Sequence, residues 1–64
     1  MQVWFAMEMI QIGNEGPHVI SVHKTEQGAE QAVKHRNDHV WVNGPCEVDA
    51  STYQSLQAAA FLKD

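Results

Sequence analysis

The stretch Gln2–Ile12, QVWFAMEMIQI, is the most hydrophobic part of the chain. Read as extended backbone, it puts Val3, Phe5, Met7 and Met9 on one side. Trp4, Ala6, Ile10 and Ile12 fall on the other, with Glu8 among them. A strand that is apolar on both faces belongs at the centre of a sheet, because an edge position would leave one set in water. Working outward, Gly13-Asn14-Glu15-Gly16-Pro17 has turn chemistry: glycines that accept positive φ and a proline that stops pairing. His18–His23 then reads as a second short strand, with Ile20 and Val22 on a shared face. The two strands form a β-hairpin closed by a five-residue loop.

Thr25 is a good N-cap, and Glu26 follows where a carboxylate favours the positive end of the helix dipole. A helix is expected over 26–37, with Ala29, Ala32, Val33 and the stem of Arg36 as its apolar stripe. Gly28 in its first turn costs about 1 kcal/mol relative to alanine. So narrow a stripe must lie close on a sheet to hold. Residues 40–49 read as a third strand interrupted at Asn43-Gly44-Pro45 by a turn or bulge, or as a loop anchor followed by a short strand. Asp49 or Ser51 then caps a last helix over 51–62, with Tyr53, Leu56, Ala59 and Ala60 on one stripe.

The element order is β-β-α-β-α, an α+β fold. A right-handed crossover through the first helix places strand three parallel to strand two. Strand one fits between them, antiparallel to both. The expected architecture is a three-stranded antiparallel sheet of order 2-1-3, with both helices packed on one face. The opposite face would then expose one apolar set of strand one. A one-residue slip in register would exchange the two sets, so the sequence leaves open which one is inside.

Composition bounds the rest. The chain has 64 residues, four Lys or Arg against eight Asp or Glu, a net charge of −4 and 44% hydrophobic residues. That is one small domain, which buries only about 60% of its unfolded surface. The acidic balance argues against direct nucleic-acid binding. The apolar stretches are too broken for a membrane span. No signal peptide, lipidation motif or glycosylation sequon is expected, and the single Cys46 suits a reducing cytoplasm.

Four histidines raise the question of a metal. His35 and His39 have i,i+4 spacing, but Asn37-Asp38 is expected to end the helix between them, and the simpler reading is surface histidines. Cys46 has no nearby base in sequence and reads as a structural thiol rather than a nucleophile. Glu47 and Asp49 share a side of an extended segment, as a solvated edge or a helix cap. No phosphate-cradling glycine loop exists. The expectation is therefore no catalytic set, no cofactor and no metal.

For binding, Trp4 and Trp41 stand out, because tryptophan buries much area with few rotatable bonds. Met7 and Met9 are adaptable contact residues if exposed. Glu47 and Asp49 complete the candidate partner-binding set.

The opening hairpin, the Thr-Glu-x-Gly-Ala-x-x-Ala-Val run at 25–33 and the short strand after it resemble, in size and layout, the small accessory proteins of bacteriophages. That resemblance implies a host-interacting protein that inhibits or redirects one partner, such as a polymerase, nuclease or defence complex. It carries no specific motif and assigns no residue. The function expected is a non-enzymatic protein–protein interaction module, an inhibitor or adaptor, with a homodimer as one form it can take. The alternatives are a homo-oligomeric structural domain, an acidic mimic of nucleic acid that blocks a DNA- or RNA-binding enzyme, or a small enzyme using His35, His39 and Cys46.

Overall fold

The computed structural model describes residues 1–10, 16–36 and 39–64. Six elements follow in the order β1 (Gln2–Met9), β2 (Pro17–His23), α1 (Glu26–Val33), β3 (Val40–Glu47), α2 (Ala50–Ala58) and β4 (Leu62–Lys63). The fold is α+β, and the four strands form one sheet in the order β3-β1-β2-β4. The strand that is apolar on both faces lies inside the sheet, antiparallel to β2 and to β3. The hairpin loop expected at 13–15 and the end of the first strand expected at 11–12 lie outside the described residues. The first helix, expected over 26–37, stops at Val33, where the Lys34 N–H turns to the Gln31 C=O three residues back at 3.4 Å.

Three details of the expected architecture are corrected. The sheet has four strands and is mixed, because β4 pairs parallel with β2 through Val22–Leu62 and His23–Lys63. The last helix stops at Ala58 instead of running to residue 62. The two helices do not share a face. β2 to β3 through α1 crosses the sheet in one direction, and β3 to β4 through α2 crosses it in the other. Two right-handed crossovers in opposite directions put their helices on opposite faces.

The pleat of β1 identifies the faces. Trp4, Ala6 and Glu8 point one way, and their register partners include His23, Ser21 and Val42. This is the α1 side. Glu8 pairs with Arg36, just beyond α1, at 3.4 Å, and Asp64, which His23 contacts, lies against Gly28 of α1. Ala6 and Ala29 are wholly buried, so the helix sits close on the sheet through small side chains. Val3, Phe5 and Met7 point the other way, toward α2.

Both interruptions of the ladder lie in the partners of β1. Ile20 is the extra residue on β2, between the Ala6–Ser21 and Met7–Val19 pairs. On β3, Gly44 and Pro45 together oppose Trp4, between the Val3–Cys46 and Phe5–Asn43 pairs. The segment 40–47 is thus one strand carrying a bulge. The indole of Trp4 lies on Gly44, where a Cβ would come within 2.7 Å of Cδ1. Only glycine leaves room for that ring.

Candidate interaction face

α1 covers its side of the sheet, and Thr25 starts it by accepting the Gly28 N–H at 3.0 Å. α2 starts in the same manner, with Asp49 Oδ1 accepting the Thr52 N–H at 2.6 Å. This bond holds the Asp49 carboxyl below its ordinary pKa of 3.8. α2 contributes no buried residue, and only Tyr53 and Leu56 are half-buried. Its face of the sheet is therefore covered in part.

The end of α2 explains what it does cover. Phe61 N–H donates to Leu56 C=O at 3.0 Å and Ala60 N–H to Gln57 C=O at 3.1 Å. Ala60 has φ 61°. This is a Schellman termination, which brings the residue after the left-handed position back against the helix's third-last residue. The pair so joined is Phe61 and Leu56. With Val19, Val22 and Lys63 they line a cleft of about 320 Å³ beside the outer edge of β2.

Beyond this cleft, no helix among the described residues buries the sheet face. Val19 of β2, Met7 of β1 and Trp41 of β3 are register partners across three strands. Val19 is 53% exposed and Trp41 37%. Met9 lies on the same side of β1 and is 37% exposed. Such an apolar row makes this side of the sheet the candidate interaction face.

Of the candidate binding residues, Met7, Met9 and Trp41 come together here. Trp4 points to the other face, half-buried on Gly44, and its buried Nε1 has no hydrogen-bond partner among the described residues. Glu47 is exposed and accepts from the Met1 amino group at 2.6 Å, while Asp49 caps α2. Val19, Leu56 and Phe61 were missed. Strict alternation puts Val19 and Val22 on opposite faces, and the extra Ile20 brings them to the same one. No local residue pattern announces that bulge.

Several of the described polar side chains hold local structure. His23 is 4% exposed. Its Nδ1 lies 2.7 Å from the Asp64 carbonyl oxygen, which can only accept, so Nδ1 carries the proton. Nε2, 2.6 Å from Ser21 Oγ, then accepts from the hydroxyl. The arrangement has the connectivity of a nucleophile and its base, but the ring is enclosed and ties β2 to the chain beyond β4. His35 lies past the end of α1 at Val33, so the His35–His39 spacing does not fall on one helical face. Among the described residues no three His, Cys, Asp or Glu side chains are placed to hold a metal. Cys46 is half-buried, its thiol 3.8 Å from the Asn43 carbonyl oxygen. Among the described residues no helix is long and apolar enough to cross a membrane. No protein-family model matches this chain, and neither a curated protein nor a solved structure is significantly similar to it.

Proposed function

We propose that this chain is a non-enzymatic protein–protein interaction module, an inhibitor or adaptor that acts in the cytoplasm through the open face of its sheet. The observation that carries the reading is the apolar row Val19–Met7–Trp41 across three strands, in which Val19 and Trp41 are exposed and Met7 is half-buried between them. Strands present such a row rigidly, so little side-chain entropy is lost on docking. A tryptophan among adaptable methionines is also the composition of an interface centre. The bacteriophage-like layout points to the same class of role.

An acidic mimic of nucleic acid is less well supported. Glu8 is paired with Arg36, Glu47 with the Met1 amino group, and Asp49 with the first turn of α2. Carboxylates held in this way do not form a phosphate-like array.

The test is affinity capture from the natural host, run beside light scattering, with Trp41→Ser as the paired variant. A stoichiometric partner that is lost with Trp41→Ser, while urea stability changes by less than about 1 kcal/mol, supports the reading. A partner retained by the variant overturns it. A concentration-dependent dimer that Trp41→Ser dissociates would reassign the face to self-association.

A further inference from the structure

The geometry points to a second contact, which deepens the interaction role proposed above and rests on it. The outer edge of β2 at Val19–Ser21, with the cleft beside it, takes an extended peptide segment of a partner protein in which apolar and acidic side chains alternate. β4 pairs only with Val22 and His23. Over Val19–Ser21, among the described residues, no strand lies outside β2. An unpaired strand edge presents backbone N–H and C=O groups, and the group that satisfies such a row is another extended backbone.

The cleft supplies the side-chain part. Leu56 and Phe61 stand beside the edge because the Schellman turn joins them, and Phe61 is 64% exposed. With Val19 and Val22 they leave about 320 Å³, room for one or two apolar side chains of a bound strand. The charge is as specific. In a chain of net charge −4, the charged residue among the described ones that line the cleft is Lys63. The complementary peptide carries an acid next to its apolar anchor, and an acid is also what the rest of this surface would repel. Val19 belongs both to the cleft and to the row on the open face. A strand on the edge therefore continues that contact. The bulge at Ile20 keeps the pairing short, which protects the edge from indiscriminate strand addition.

The experiment is fluorescence anisotropy on the full chain with two labelled, end-blocked peptides of about eight residues, long enough to span a strand. One alternates Val and Glu, the other Val and Lys. The Val/Glu peptide is expected to bind about tenfold or more tighter than the Val/Lys peptide. Lys63→Glu should reverse that order. N-methylation of alternate peptide nitrogens, and separately Phe61→Ala, should each weaken binding about tenfold. Trp41→Ser should leave it within about twofold, because Trp41 lies two strands away.

Absence of binding by both peptides overturns the proposal. So does an unchanged order in Lys63→Glu, indifference to N-methylation, or self-association that Phe61→Ala removes while the peptides fail to bind. If peptide binding fails but the Trp41-dependent partner remains, the edge alone is wrong. If the peptides bind and no Trp41-dependent partner exists, the open-face reading is wrong.

Discussion

α1 and α2 begin in the same way and end in different circumstances. Each is short, eight and nine residues, and each has an N-cap side chain that accepts the N–H three residues on. α1 then sets a wholly buried Ala29 onto the sheet, where Ala6 is equally buried. α2 buries nothing completely; Tyr53 and Leu56 are half-buried, and Leu56 lines the cleft with Val19 and Val22 of β2. Isolated helices of this length are marginal in water. α1 is therefore held by packing, whereas α2 leans on its two ends, the Asp49 cap and the Schellman turn. The face under α1 is closed by packing, and the face on the α2 side keeps Val19 and Trp41 exposed.

The strongest way to break this comparison is to enlarge the seam under α1. Ala6→Leu should destabilise the protein by about 3 kcal/mol, because a close-packed seam cannot take three more carbons without displacing the helix. Urea unfolding measures this. Met7→Leu, one residue away and facing the open side, should change stability by less than about 1 kcal/mol. Equal costs at the two positions would mean that α1 is not seated as described.

Gly28 sharpens the same side. Alanine in an exposed helix normally gains about 1 kcal/mol over glycine. Here its Cβ would lie 2.0 Å from the backbone of Asp64, so Asp64 must leave its place beside His23. Gly28→Ala should cost about 1–2 kcal/mol, the range of an overpacked contact. In a chain with Asp64 deleted the same change should become favourable by up to about 1 kcal/mol. The reversal of sign, read by thermal or urea unfolding, is the diagnostic result.

On the α2 side the largest effect should be a gain. Ala60 holds φ 61°, a conformation that costs a residue with a Cβ about 1–2 kcal/mol. Ala60→Gly should raise stability by about 1 kcal/mol in urea unfolding, since glycine adopts that conformation freely. A loss instead would mean that the turn is held by something other than its backbone bonds.

That alanine also shows where sequence reading fails. The central place of β1, and with it the 2-1-3 order of the first three strands, followed from apolar residues on both its faces, and the start of α1 from Thr25; for α2 the sequence offered Asp49 or Ser51, and Asp49 is the cap. The end of α2 was illegible because a left-handed C-cap announces itself by glycine, and here alanine occupies the place at 60. With the helix read through to 62, β4 could not be found. Without β4 there was no return crossover to send α2 to the other face. The open face inherited the error in a second way: the Ile20 bulge changes the parity of β2, so Val19 was not grouped with Met7. Met7, Met9 and Trp41 stood out in the sequence as candidates because size and adaptability are properties of the residue. Their meeting on one face depends on register, which is a property of three strands together.

The smallest expected effect lies at the start of α2 and tests whether that helix leans on its ends. The Thr52 N–H donated to Asp49 lowers the carboxyl's pKa below its ordinary 3.8, because the bond favours the ionised form. A group whose pKa is lower in the folded state contributes its stabilisation above the unfolded value and loses it as pH falls through the folded one. The α2 cap should therefore be complete at neutral pH and weaken below about pH 3.8, toward the lowered pKa. Asp49 is fully exposed, so the change should be confined to the first turn of α2, with no measurable shift in global unfolding. The Thr52 amide resonance, followed by NMR through this range, should move with a midpoint below 3.8, while the Gly28 amide, capped by the non-titrating Thr25, should not respond to its own cap. Asp49→Ser keeps a capping oxygen without a titrating group, and should flatten the Thr52 profile. If the Thr52 amide moves equally in Asp49→Ser, the acid response comes from another carboxylate. The two helix starts would then differ in something other than the charge of their caps.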